Sequence, residues 1–192
     1  MAKGGSEQTI RNLLDAGRDL VAEHGAARLT LDAVVKRAGM SKGAILYHFK
    51  TKDDLTRQLF QDAVDAFDAR VAEKRGNDRS PGSYTRAYIA VTTAPHAAGS
   101  AAAERSVISA LAADGVVGAI LEQTLANWSS QVENDGLDPA LAQLVRLAAD
   151  GLWMMEAAGA NPVSAGLRQD VSAHMLRLID ASQSAQGQGS TD

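Results

Sequence analysis

LTLDAVVKRAGMSKGAILYHFKTKDDL, from Leu29 to Leu55, is the stretch that decides the fold of this 192-residue chain. Leu31, Val34, Val35 and Ala38 recur at i, i+3, i+4 and i+7, the spacing of one buried helical face. Thr30 stands before them as a capping residue, and Gly39 after them as a stop. Ser41 caps a second short helix, Lys42 to Phe49. Thr51 caps a third, with Asp53 and Asp54 in its first turn, where carboxylates suit the positive end of the helix dipole.

Two short helices joined by the tight turn Gly39-Met40-Ser41 make a helix-turn-helix. Val34, Val35, Ala38, Ile45 and Phe49 can form the small core that fixes them together. Lys42, Gly43 and Ala44 then face outward, where an ordinary core helix would carry apolar bulk. Gly43 and Ala44 are too small to hold the helix away from a DNA groove floor. Tyr47 and His48 can donate to phosphate oxygens, and Lys52 adds a positive charge. Phosphate contacts set register and affinity, while base-edge contacts set sequence choice.

Outward from this segment the chain reads as all-α. Ile10, Leu13, Leu14, Gly17, Val21 and His24 share one face of a first helix that ends at Gly25, so His24 is expected to be partly buried. Leu55, Leu59, Ala63, Phe67 and Val71 line a long helix from Thr51 to about Lys74. RGNDRSPGS, Arg75 to Ser83, is the clearest break. Ala-rich helical patches follow at Tyr84 to Thr93, Ala101 to Ala113 and Val117 to Val132, separated by Gly99 and Gly115. Asp138-Pro139 and Asn161-Pro162 each place a capping side chain before a first-turn proline. One stripe then runs through Leu141, Leu144, Val145, Ala148, Leu152 and Met155. A second runs through Leu167, Val171, His174, Met175 and Leu178. The expected organisation is about nine helices: a helix-turn-helix domain over 1–50, a helical bundle over 51–182, and a disordered tail over 183–192.

Bulk properties narrow the function. Residues 1–57 hold 10 Lys and Arg against 7 Asp and Glu, a net of +3; residues 58–192 hold 9 against 16, a net of −7. A basic head on an acidic body suits a head that meets phosphate. The chain has no cysteine, which removes disulfides and thiolate metal sites. No signal peptide and no apolar run of about 18 residues is evident, so a cytoplasmic protein without a membrane span is expected. Phosphate-loop, H-E-x-x-H and nucleophile-elbow patterns are missing, and the four histidines are scattered. No enzyme, metal or cofactor is therefore expected.

The apolar helix ending in AEHG, then LTLDAVVKRAGMSKGAILYHF, then KTKDDL, resembles the DNA-binding domain of the TetR family of transcriptional regulators. The resemblance covers roughly residues 10–60. It implies a homodimer of all-helical subunits, usually a repressor. Its N-terminal domains would bind double-stranded, palindromic operator DNA, and its body would hold a small-molecule effector. The family's DNA-facing positions fall here on Thr30, Ser41, Lys42, Gly43, Ala44, Tyr47, His48 and Lys52. The chain departs from the family at Leu46, where many members carry an aromatic residue. Leu46 either forgoes a phosphate contact or touches a thymine methyl, and readout leans on Lys42, Ser41 and DNA shape.

In the body, Tyr84, Tyr88, His96, Trp128, Trp153 and Met154 are the candidate effector pocket, because large soft side chains between bundle helices make adaptable apolar sites. The resemblance also implies that Asp138 to Ala158 and Pro162 to Ala181 form a four-helix bundle across a two-fold axis. Leu141, Leu144, Leu152, Val171, His174 and Leu178 are its candidate interface. The alternative is a DNA-binding regulator without a small-molecule effector, controlled by a protein partner.

Overall fold

A computed structural model describes residues 2–94, 100–157, 160 and 163–188. The described residues form nine α-helices and two short 3-10 turns, with no strand. The helices are α1 (Ala2–His24), α2 (Leu31–Ala38), α3 (Lys42–His48), α4 (Lys52–Arg75), α5 (Ser83–Thr92), α6 (Ser100–Ala112), α7 (Gly118–Glu133), α8 (Pro139–Ala157) and α9 (Ala165–Gln188). No single helix among them is long and apolar enough to cross a membrane.

The chain divides into two compact units, Met1–Phe67 with His96–Glu122, and Asp68–Pro95 with Gln123–Asp192. These cut across the boundary expected at residue 50. The first part of α4 and all of α6 group with the N-terminal helices.

In the first unit Leu13, Leu14, Leu20 and Val21 of α1 are buried, as are Val34, Ile45, Phe49, Leu55, Leu59 and Phe60. Val107, Ile108 and Leu111 of α6 are buried too, and α6 packs on α1. Polar links brace the rim of this core. Arg18 donates to Asp62 across α1 and α4 at 2.6 Å, and Arg37 of α2 grips Glu23 of α1 with two nitrogens. The Arg37 hydrogen bonds hold the Glu23 carboxyl below its usual range. His24 is a correction. Its side chain is 53% exposed at the end of α1. The last turn of a helix has left the core, so a position on the apolar stripe there need not be covered.

In the second unit Val71, Tyr84, Ala87, Tyr88, Ile89, Trp128, Val132, Val145, Ala149, Trp153, Met175 and Ile179 form the core. Helix α5 lacks a capping side chain of its own, since its N-cap is Gly82. Asp135 supplies the cap from fifty residues downstream. Its carboxylate accepts from the Tyr84 amide at 3.1 Å, the Thr85 amide at 2.7 Å and the Thr85 hydroxyl at 2.9 Å. Gly82 itself is required there: its φ is 76°, and a Cβ would lie 2.9 Å from Leu137 Cδ2.

One further expectation changes, and two fall outside the described residues. Asn161-Pro162 lies outside the described residues; α9 begins at Ala165, and Ser164 Oγ accepts from the Leu167 amide. Helix α9 continues to Gln188, through most of the segment expected to be disordered. Gly99, expected as a separator, also lies outside the described residues.

Candidate nucleic-acid interface

Each end of the helix-turn-helix is set by local chemistry. Thr30 is extended, at φ −139°, and its side chain accepts from the Ala33 amide at 3.1 Å, starting α2. Gly39 ends α2 in the left-handed region, at φ 65°. Ser41 repeats the cap on α3, accepting from the Ala44 amide at 3.2 Å. Thr51 and Asp54 then cap each other reciprocally: Asp54 accepts from the Thr51 amide at 3.0 Å, and Thr51 accepts from the Asp54 amide at 3.1 Å. This is a capping box with Asp in the Glu position. The Thr51 hydrogen bonds hold the Asp54 carboxyl below its usual range.

With its ends fixed, α3 can bury little. Ile45 is fully covered and Phe49 is 5% exposed. These two side chains anchor it. Lys42, Gly43, Leu46 and Tyr47 are exposed, and Ala44 and His48 are half-buried. Tyr47 is 74% exposed, an unusual position for a phenol. Its ring meets the His48 ring edge-on at 4.9 Å. A Cβ on Gly43 would meet nothing closer than Ser41 Oγ at 3.8 Å, so this surface is open. Thr30, Ser41 and Lys52 are exposed as well. All eight sequence-selected positions therefore belong to one unit and remain accessible to a partner in whole or part.

Sequence reasoning passed over two neighbours of this set. The Lys50 ammonium donates to the Leu46 carbonyl at 2.9 Å. The Lys42 ammonium lies 3.0 Å from an Asp32 oxygen. Asp32 is ten residues upstream on another helix, and no periodic spacing connects the two.

The second unit gathers the aromatic residues. Tyr84 and Tyr88 centroids are 6.2 Å apart, Tyr88 and Trp128 5.8 Å, and Trp128 and Trp153 6.4 Å. Two carboxylates engage this row. Asp68 accepts from Trp128 Nε1 at 2.7 Å, and Asp150 accepts from the Tyr88 hydroxyl at 2.7 Å. Arg146 Nε lies 3.3 Å from Asp150, and Arg146 also donates to Ser129 at 2.7 Å. Burial pushes the Asp150 carboxyl above its usual range and both phenols above theirs. Met154 does not join the row: it is 69% exposed. The helix turns about 100° per residue, so it faces away from its neighbour Trp153. His96 lies outside the described residues.

Helix α8 carries apolar residues nearly all round, and the expected single stripe separates into two. Ala142, Val145, Ala149 and Trp153 face the core. Leu144, Leu147, Met154 and Met155 stay exposed. On α9, Met175 and Ile179 are buried, whereas Leu167 and Leu178 are exposed. Leu141, Leu152 and Val171 are half-buried, and His174 is exposed.

Residues 13–59 match the family described as bacterial regulatory proteins, tetR family, and residues 82–180 match the tetracyclin repressor-like C-terminal domain. The chain belongs to the TetR family. Its relatives agree at both scales. Over 71 residues the TetR chain is 35% identical to the HTH-type transcriptional regulator Rv2912c of Mycobacterium tuberculosis, covering 35% of this chain and 36% of that protein. The chain thus spans about a third of the length of the curated relatives it matches. A transcriptional regulator from Rhodococcus sp. Rha1 has the same fold, with a TM-score of 0.71 and 24% identity over 88% of this chain and 95% of that one. The multidrug binding protein EbrR, complexed with ethidium, superposes with a TM-score of 0.63 and 22% identity over 89% and 98%.

Proposed function

We propose that this TetR-family chain is a sequence-specific, DNA-binding transcriptional repressor, acting as a homodimer and released from a palindromic operator by a small-molecule effector. One observation carries the proposal. Helix α3 is anchored by Ile45 and Phe49 alone and exposes Lys42, Gly43, Leu46 and Tyr47 between two capped helix starts. A helix with so little buried surface is held for what it presents. Lys42, Gly43 and Ala44 would approach base edges, and Thr30, Ser41, Tyr47, His48 and Lys52 would approach phosphates.

The dimer would place two such helices roughly 34–36 Å apart, one DNA turn. The exposed apolar faces of α8 and α9 support self-association, because a surface of this kind is costly in water. The aromatic row of Tyr84, Tyr88, Trp128 and Trp153 supports an effector site, as does the likeness in fold to EbrR, a multidrug binding protein complexed with ethidium. Ligand binding can change operator affinity only as far as it favours one conformation over another. Helices α4 and α7 each contribute residues to both compact units, so they are the continuous elements through which such a preference would pass.

The test is a titration of the purified protein with operator DNA, selected from random duplexes, over a range of salt. Affinity should fall steeply, with a log–log slope of about −0.9 for each phosphate contact. Tyr47→Ala and Lys52→Ala should weaken operator and scrambled duplex alike. Lys42→Ala should also lower the ratio between them, by about tenfold for a base contact of about 1–3 kcal/mol. Affinity that ignores salt sinks the proposal.

A further inference from the structure

The surface proposed to face DNA carries a carboxylate, Asp32, that contacts one of its candidate base-reading residues. Asp32 stands in the first turn of α2, exposed, with an oxygen 3.0 Å from the Lys42 ammonium at the first turn of α3. Both side chains are largely solvated, at 77% and 68% exposure, so the pair adds little to folding. Beside a polyanion, a fixed negative charge lowers affinity. A first-turn Asp does favour its own helix dipole, but that account leaves the contact with Lys42 without a purpose.

The geometry points to Asp32 as a specificity-determining, positioning residue for Lys42; the inference rests on the proposed reading that α3 faces DNA. A lysine is a compact charge on a flexible four-carbon stem. Left alone at a DNA surface it is drawn to the nearest phosphate, and release of counterions rewards that contact on any sequence. Asp32 opposes this in two ways. It holds the ammonium at the start of α3, beside Gly43 and Ala44, where small side chains leave room for base edges. It also cancels the charge that would otherwise hold Lys42 on the backbone. The two helix starts are separately capped by Thr30 and Ser41, so carboxylate and ammonium are presented from fixed positions. Lys42 then gains from DNA chiefly where a base acceptor such as guanine O6 or N7 offers itself.

The experiment uses the full-length protein and compares a selected operator with a scrambled duplex of equal length, each in a salt series. In Asp32→Asn, affinity for the scrambled duplex should rise about threefold per subunit and its log–log salt slope should steepen by about one per subunit. Operator affinity should change by less than about twofold, so the specificity ratio falls. Asp32→Glu should restore the ratio. In a Lys42→Ala background, Asp32→Asn should leave the ratio where Lys42→Ala alone put it. If Asp32→Asn raises both affinities equally, the carboxylate is only a general repulsive charge and the inference is overturned. A ratio lowered by Lys42→Ala but untouched by Asp32→Asn overturns the inference while leaving α3 as the reading helix. A ratio that Lys42→Ala does not move overturns both.

Discussion

Asp150 shows how far a single residue can be read in physical terms. It sits beneath the aromatic row, accepts from Tyr88 and lies beside Arg146, yet burial still pushes its carboxyl up. Desolvation thus outweighs one hydrogen bond and one cation. A carboxyl raised in the folded state binds its proton more tightly there than in the unfolded chain. Its contribution to stability is fully present below the unfolded value and is lost as pH rises through the folded one. Asp150→Asn keeps the shape without the charge. The stability of the natural chain relative to Asp150→Asn should therefore fall as pH rises above the ordinary carboxylate range, as urea denaturation at several pH values would show. A flat difference would mean that Arg146 compensates the carboxylate fully. Little of this was legible in the sequence. Asp150 lies on a helix where i, i+4 spacing reveals Arg146, but the burial and the Tyr88 contact depend on how α5 and α8 pack.

At the scale of elements, legibility followed locality. Thr30, Ser41, Thr51 and Asp138 each cap the helix that begins after them, because a capping side chain needs only the amide three residues on. Gly39 ends α2 for an equally local reason. Its φ of 65° is strained for any residue with a Cβ, although a Cβ there would meet nothing within 4 Å. Gly39→Ala should accordingly cost about 1–2 kcal/mol through backbone strain alone. Thermal denaturation would measure it, and operator affinity should fall as the turn between α2 and α3 is distorted. Signals that depended on neighbours failed. His24 kept its helical phase but had run past the core. The stripes of α8 could not be resolved, because Leu144 and Val145 are equally apolar and only packing decides that one is exposed and the other buried. Nothing in the composition of α6 marked it as a partner of α1.

The whole molecule adds what no helix shows alone. Leu144, Leu147, Met154 and Met155 are exposed on one helix and Leu167 and Leu178 on the next, and the proposed homodimer would cover this surface with a second copy. Leu147→Glu places a charge on that surface without entering the core, so the subunit should remain folded. Light scattering coupled to size-exclusion chromatography should then report a monomer. Operator affinity should drop by more than about tenfold, since two linked half-site contacts become one. A variant that stays dimeric would assign this face to solvent. The all-α class and the position of the helix-turn-helix were legible from residues 29–55, because that segment folds on local signals. The body was legible only as helices, and its function depends on which of their faces meet.

The remote cap on α5 bears on how this body comes into being. Tyr84 and Tyr88 lie on a helix whose first amides have no nearby acceptor side chain; they wait for Asp135, which follows α7 in the chain. Closing that distance is an entropic cost met before any reward arrives. Helix α5 therefore gains its cap only when the turn between α7 and α8 docks against it. The body should gain or lose its order as one cooperative unit, in which a fragment ending before Asp135 would leave both tyrosines on an unfinished helix.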